Sequence, residues 1–399
     1  MTKRVVVNIT ASFSWRKQPV GIVRVERFLL QNLIKDSSIE KCYVILDFNT
    51  NSFRALSAKI VRKVFSDQWI DSSYEADLDK EVISESKKFE PLAGDTFLSI
   101  GSDWSFQIPR LVSELYNGEK VLVCACYDLI PLILPEFTPG SEFFEQFTVH
   151  YDAVARTAKR VFAISENSKR DLLSYWTSSN MANATLPEVN VLQLAGLTAD
   201  ELISNNNNES ISPKIQALSS QRYVLYVSTI EPRKNHQLLV DIWRNFDSDK
   251  IQDCPILVFV GQQGWGSDDL IEQMHHMEVF KKGKVIWLDT VDDKTLSYLY
   301  RNCLFAVFPS FYEGWGLAAT EALGFNKVCI VSNNSSLQEA TFGTMPSLHP
   351  LDYLSWQQTI RKLFNDENYR KTLEFGINKT VASRSWSDFS RDFITQFLT

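Results

Sequence analysis

Short runs of β-branched and aliphatic residues recur along the chain, and between them apolar positions return every three or four residues. The runs predict strands at 4–9, 43–48, 96–100, 121–126, 161–164 and 189–194, then at 223–227, 256–260, 285–288, 304–308 and 328–331. They are continuously apolar instead of alternating, as strands covered on both faces are. Segments of helical period such as 25–34, 236–246 and 295–301 supply the crossovers that parallel strands need. The pattern predicts an α/β architecture with parallel sheets.

A polar, asparagine-rich stretch from Ser204 to Pro213 separates the two series and has the composition of a linker. A chain of 399 residues is too long for one ordinary core. The expected division is 1–203, a linker at 204–221, a second domain at 222–382 and a last segment at 383–399. Hydrophobic residues at 44% and charged residues at 22% make a globular composition. The net charge of -7 argues against a protein that coats nucleic acid, but leaves room for a local basic pocket around a diphosphate.

Six cysteines show no metal-site spacing, and Cys124 and Cys126 alternate within an apolar run, so both read as core in a reducing compartment. At the start, Asn8 and Thr10 break the apolar run after Val5-Val6-Val7, so no secretory leader is expected. The stretch 121–134 holds Asp128 and Pro131 and is too short and broken to span a bilayer. A cytoplasmic location follows, with peripheral contact to the inner membrane surface left open.

Two segments carry chemistry. In Phe308-Pro-Ser-Phe-Tyr-Glu313-Gly314-Trp315-Gly316-Leu317-Ala-Ala-Thr-Glu321, a buried strand ends, a loop presents Glu313, and two glycines precede a helix. Glycines let backbone N–H groups come close to a ligand, and a helix N-terminus attracts an anion. Glu321 lies about one turn into that helix, so it and Glu313 suit one ligand with vicinal hydroxyls. Two solvated glutamates are the plainer reading, which the strand-to-helix context disfavours. The second segment, Ser228-Thr229-Ile230-Glu231-Pro232-Arg233-Lys234-Asn235-His236, follows the first strand of the second half. Parallel sheets bind ligands beyond their strands' carboxyl ends. Arg233 and Lys234 there suit a diphosphate leaving group.

In this order, the Glu-x7-Glu element, the Glu-Pro-Arg-Lys-Asn turn and the Gly261-Gln-Gln-Gly264-Trp265-Gly266 loop resemble the family-4 retaining glycosyltransferases, particularly the bacterial surface-polysaccharide members. In the first half, Tyr127-Asp128-Leu129-Ile130-Pro131, Ser165-Glu166-Asn-Ser168 through Leu172, and Pro19 through Glu26 agree more loosely. The resemblance implies a GT-B fold: two Rossmann-like domains facing across a deep cleft, with a C-terminal helix from Ser383 onward crossing back to the first. It implies that Glu313 meets the donor sugar and that Glu321 holds the ribose. Arg233 and Lys234 would hold the diphosphate, with Gly314, Trp315, Gly316 and Leu317 assisting. Thr229, Gly21 and Gly261 complete the donor side, and Asp128 lines the sugar or acceptor side. The family's Gly-Arg is Ser228-Thr229 here, and its histidine before Asp128 is Tyr127.

The implied activity is retaining transfer of a hexose, mannose-like and guanosine-linked in preference to uridine-linked, onto a glycan or lipid-linked glycan. No cofactor and no metal are expected. Asp292-Asp293 reads as a helix cap, and Asp268-Asp269 would diverge on any regular element. The five histidines lack ligand spacing. Trp15, Trp104 and Trp265 stand beside loops, where stacking on a sugar and plain packing are equally open. The basic-apolar segment of Lys59, Ile60, Val61, Arg62 and Lys63 reads as a surface helix or as a patch leaning on anionic lipid. The alternative function is a GT-B nucleotide-sugar binder without transfer, an epimerase or an assembly subunit. A dinucleotide enzyme is disfavoured because no strand leads into Gly-x-Gly-x-x-Gly.

Overall fold

The computed structural model describes residues 4–15, 21–66, 69, 80, 82–179, 181, 185–195, 211–377 and 384–398. The chain divides into two compact units, Met1–Leu194 with Trp386–Thr399, and Ala195–Ser385.

In the first unit, eight strands form one sheet: β1 (Arg4–Asn8), β2 (Glu40–Asp47), β3 (Ser52–Ala55), β4 (Lys87–Lys88), β5 (Thr96–Ser99), β6 (Leu122–Cys126), β7 (Ala158–Ala163) and β8 (Glu188–Val191). Their order is β4-β3-β2-β1-β5-β6-β7-β8. The pairs from β2 through β8 are parallel, whereas β3 runs antiparallel to both β2 and β4. The wholly parallel sheet expected from sequence therefore holds except at this edge. The turn after Asp47, with Asn51 at φ 48°, folds β3 straight back as a hairpin. Cys124 and Cys126 are buried in this unit's core.

The second unit's strands are β9 (Tyr223–Val227), β10 (Ile256–Val260), β11 (Val285–Leu288), β12 (Phe305–Phe308), β13 (Cys329–Ser332) and β14 (Ser347–Leu348). Their order is β11-β10-β9-β12-β13-β14, and every pair is parallel. Strand order reverses between β9 and β12, which makes their carboxyl ends the switch point where α/β sheets open a crevice for ligands. The corresponding reversal in the first unit lies between β1 and β5.

Three segments bear on the sequence reading, and the linker differs from it. Residues 204–210 of the expected linker lie outside the described residues, but Pro213–Ser219 is a helix. Ser212 caps it and Pro213 opens it, while Ile215 and Leu218 reach the second unit's core. The basic segment forms the helix Ala58–Val64, and its Ile60, Val61 and Val64 are all buried. It thus has no apolar side to offer a bilayer, and only its cationic heads face water. At the chain's end, the helix Trp386–Phe393 and its continuation Ile394–Leu398 belong to the first unit. Trp386 stacks on Phe28 at 4.9 Å, and Phe389, Phe393 and Phe397 surround Phe162 at 5.4–5.8 Å. Ser383 and Pro19-Val20 fall outside the described residues.

Candidate active site

The turn after β9 is built to present cations. Pro232 opens a single 3-10 turn, Pro232–Lys234, and Asn235 then takes a left-handed conformation (φ 58°) at the start of the helix His236–Ser248. Asn235 Nδ2 donates to the carbonyls of Pro309 and Pro350 at 3.1 and 3.0 Å, and Tyr226 Oη donates to Lys234 O at 2.6 Å. Phe311 N donates to Arg233 O at 2.8 Å. The turn is thereby tied to the loop that leaves β12.

That second loop carries Glu313. Lys234 Nζ lies 2.6 Å from its Oε1, and Arg233 NH1 lies 3.0 Å from its Oε2. Arg233 also reaches Glu231 Oε1 at 2.5 Å and Tyr312 O at 2.5 Å. Burial alone would raise the Glu313 carboxyl. The charges of Lys234 and Arg233, with hydrogen bonds from Lys234 and Ser310, outweigh that and hold it at about 2. Glu313 is therefore ionised at neutral pH and can accept a hydrogen bond but has no proton to give. Two cations and two carboxylates meet here with no net charge, so an arriving anion competes with Glu313 and Glu231 for Arg233 and Lys234.

The loop after β13 fixes the Glu313 backbone. Glu313 N donates to Ser335 Oγ at 3.0 Å, and Ser336 Oγ lies 2.7 Å from Glu313 O and 2.9 Å from Trp315 O. Sequence reasoning missed Glu231, Ser310, Ser335 and Ser336. The run Asn333-Asn334-Ser335-Ser336 reads as an ordinary polar turn, although its position after a buried strand was a usable signal.

The remaining second-unit candidates sort themselves by what they touch. Gly316, at φ 114°, precedes the helix Leu317–Gly324; a Cβ there would lie 2.6 Å from Leu337 Cδ2, so packing also requires the glycine. Trp315 is 3% exposed, and its Nε1 has no hydrogen-bond partner. Gly314 is buried beside it, while Leu317 is partly open. Glu321 is 4% exposed and accepts from Tyr300 Oη at 3.1 Å, which rules out a solvated helix glutamate. Gly261, at φ 149°, lies against the Ser228–Thr229 peptide, where a Cβ would stand 2.2 Å from Ser228 O. Its loop is laced to the cation turn by Ile230 N to Gln262 O at 2.9 Å and Gly264 N to Ile230 O at 2.8 Å. Thr229 is exposed.

Asp128 and Gly21 belong to the first unit. Asp128 follows β6 and accepts from Ile130 N at 3.1 Å, a local turn bond just before the short helix Ile130–Ile133. Gly21 begins the helix Gly21–Lys35 at φ 50°, with open space where a Cβ would point. At this unit's own switch point Asn8 Nδ2 donates to Ser99 Oγ at 2.8 Å, and Glu26 and Asp103 are buried. Burial raises Glu26 to about 7 despite its bond from Ser12, and raises Asp103 to about 8. Among the described residues, no three His, Cys, Asp or Glu side chains group as metal ligands, and no helix is long and apolar enough to cross a membrane.

Residues 207–374 match the family model for glycosyl transferases group 1. That stretch, 42% of the chain, resembles a group 1 glycosyltransferase domain. All the ion contacts described above lie within it. The chain is also similar to the serotype-specific mannosyltransferase WbdA of Escherichia coli, 24% identical over 270 residues, covering 67% of this chain and 32% of that protein. It is 26% identical over 252 residues to the O-antigen chain mannosyltransferase B of Escherichia coli, covering 62% of each. The match thus spans about a third of WbdA. Among solved structures, Anabaena HepE in complex with UDP-glucose superposes with a TM-score of 0.65 at 14% identity, covering 99% of each chain. The two units share the GT-B fold of that protein.

Proposed function

We propose that the chain transfers a mannose-like hexose from a nucleoside diphosphate sugar to a glycan or lipid-linked glycan, with retention and without a metal, in cytoplasmic synthesis of a surface polysaccharide. The observation that carries the proposal is the contact of Glu313 with both Arg233 and Lys234 at the second unit's switch point. The mannosyltransferase names of the similar proteins support the sugar and product class. We favour a guanosine-linked donor, although HepE was solved with a uridine-linked one.

In the proposed step, the acceptor hydroxyl oxygen bonds to the sugar's anomeric carbon as the bond from that carbon to the diphosphate breaks. The hydroxyl proton passes to the departing phosphate oxygen on the same face. Arg233 and Lys234 neutralise the charge that develops on the diphosphate, which is catalysis by donors already in place. Glu313 accepts from a hydroxyl of the donor sugar, Glu321 takes the ribose, and backbone N–H groups from Gly314 to Leu317 assist. Gly21 serves the phosphates and Asp128 the sugar or acceptor.

Removing one such donor lowers turnover by ~10²–10³-fold. Lys234→Ala and Glu313→Ala are each expected to lose that much, with activity unchanged in chelator. Glu313→Ala leaves two cations facing each other and threatens folding. Glu313→Gln keeps the shape and is the safer probe. Turnover near wild type in both Lys234→Ala and Glu313→Gln would sink the proposal.

A further inference from the structure

The first unit carries a groove that the transfer chemistry does not use. One cavity of about 270 Å³ lies between the segment Asp103–Ser105, the helix Ile108–Leu115 and the helix Ser141–Thr157. A second, of about 330 Å³, opens on the other side of Gln107, toward Phe48 and Asn51 at the carboxyl end of β2. Ser105, Gln107 and Arg110 line both, so the two cavities adjoin across these residues as parts of one groove-like surface. Each lies near the lower end of the size range of small-ligand sites, ~300–1,000 Å³.

The lining has a definite chemistry. Phe48 and Val149, at 57% and 55% exposure, are among the large apolar groups open to water among the described residues, and they line the second and the first cavity respectively. Trp104 lines the first cavity with Val149, tilted against Phe147 at 4.8 Å. Gln107 holds a left-handed backbone (φ 52°) at the start of its helix without capping it, which leaves its side chain at the ridge between the cavities. His150 lines the first cavity from within the unit, is buried, and has no hydrogen-bond partner for Nδ1. Burial lowers it to about 3, so the ring is neutral, with one donor and one acceptor nitrogen.

Charge decides what fits. Arg110 is already paired with Glu114 at 2.9 Å, while Glu142 and Glu145 add negative charge to the rim. A phosphate or nucleotide would be repelled. Neutral amides, a neutral imidazole, carboxylate acceptors and open apolar faces suit a molecule with many hydroxyls and apolar C–H faces.

We propose that this groove binds internal sugar units of a neutral acceptor oligosaccharide, apart from the unit that receives the new residue. The inference rests on the glycosyltransferase reading for the identity of the chain bound, but it makes its own demand, which is direct saccharide binding without donor. The test uses the full chain, with α-linked mannotetraose and methyl α-mannoside as probes, and saturation-transfer NMR as the binding readout. Mannotetraose is expected to bind wild type. Val149→Trp, which fills the mouth, and Glu145→Ala, which removes a rim acceptor, should each weaken it about tenfold. Both positions are exposed, so folding should survive. With donor present, the KM for mannotetraose should rise by the same factor while transfer to methyl α-mannoside stays unchanged. Equal mannotetraose binding in wild type and both variants overturns the groove, as does preferential capture of an oligolysine peptide. Absence of all transfer by wild type alongside intact, groove-dependent binding would instead strike the transferase reading.

Discussion

Carboxyl groups at the two switch points are driven in opposite directions. Glu313 faces two cations and is held at about 2, whereas Glu26 and Asp103 lie buried with hydroxyl partners and are pushed up to about 7 and 8. For Asp103 the charge of Glu26 adds to the effect of burial, so ionising either carboxyl opposes the other. A carboxyl whose folded value lies above its unfolded one favours folding while protonated. Its contribution is complete below the unfolded value and disappears as pH rises through the folded one. Here the loss runs from about 4.5 to about 7 for Glu26 and onward to about 8 for Asp103. The buried His150 and His236, both lowered to about 3, act in the opposite sense, and only as pH falls below 6.5. Between pH 6.5 and 8 the carboxyl pair therefore governs the slope. The midpoint of thermal unfolding should fall across that window in wild type and fall much less in the double variant Glu26→Gln/Asp103→Asn, which mimics both protonated acids and keeps acceptors for Ser12 and Ser99. A tenfold change in a carboxyl's proton affinity on folding is worth about 1.36 kcal/mol, so the stabilities of the two proteins should diverge by about 2 kcal/mol across that window. Parallel slopes in the two proteins would remove the pair from the account. Nothing in the sequence announces this pair: Glu26 sits in a helix between Val25 and Arg27 and Asp103 before a tryptophan, and neither position signals burial.

At the scale of elements, the last helix is the clearest test of what holds the first unit together. Trp386, Phe389, Phe393 and Phe397 are all buried against that unit's own aromatics. Burying one such side chain is worth about 1.5–3 kcal/mol. Losing four approaches the whole stability of an ordinary domain, about 5–15 kcal/mol. A chain ending at Ser385 should lose the cooperative melting of the first unit and expose its core to protease, while the second unit still melts. A first unit that melts unchanged in the truncated chain would defeat this. The aromatics of that helix keep helical spacing, and its return to the first unit was an implication of the family resemblance. Strands β9, β10 and β11 are equally legible, since unbroken apolar runs have one reading in a parallel sheet. The β3 hairpin is not, because four residues with a single buried apolar side chain, Phe53, carry no period. The helix Pro213–Ser219 was hidden by its polar surroundings, although Ser212-Pro213 is a cap followed by a first-turn proline.

The whole molecule carries a net charge of -7, yet its candidate donor site keeps two cations together. Both are already neutralised by Glu313 and Glu231, so an incoming diphosphate gains contact only by displacing carboxylates. That exchange should make donor binding sensitive to salt, since the approach of an anion to an acidic surface is screened and the local pairs are partly open to water. Because all these groups lie in the second unit, donor should stabilise that unit first. A ligand at about 100 times its dissociation constant adds ~2.7 kcal/mol to the state that binds it. For a unit of 150–250 residues, each kcal/mol shifts melting by about 2–4 °C. GDP-mannose is therefore expected to raise one of two melting transitions by roughly 5–10 °C. UDP-glucose should raise it less, and Lys234→Ala should lose most of the gain. A shift confined to the first unit's transition would contradict donor binding at the Arg233–Lys234 turn. Equal shifts with both donors would leave that turn in place and overturn the preference for guanosine.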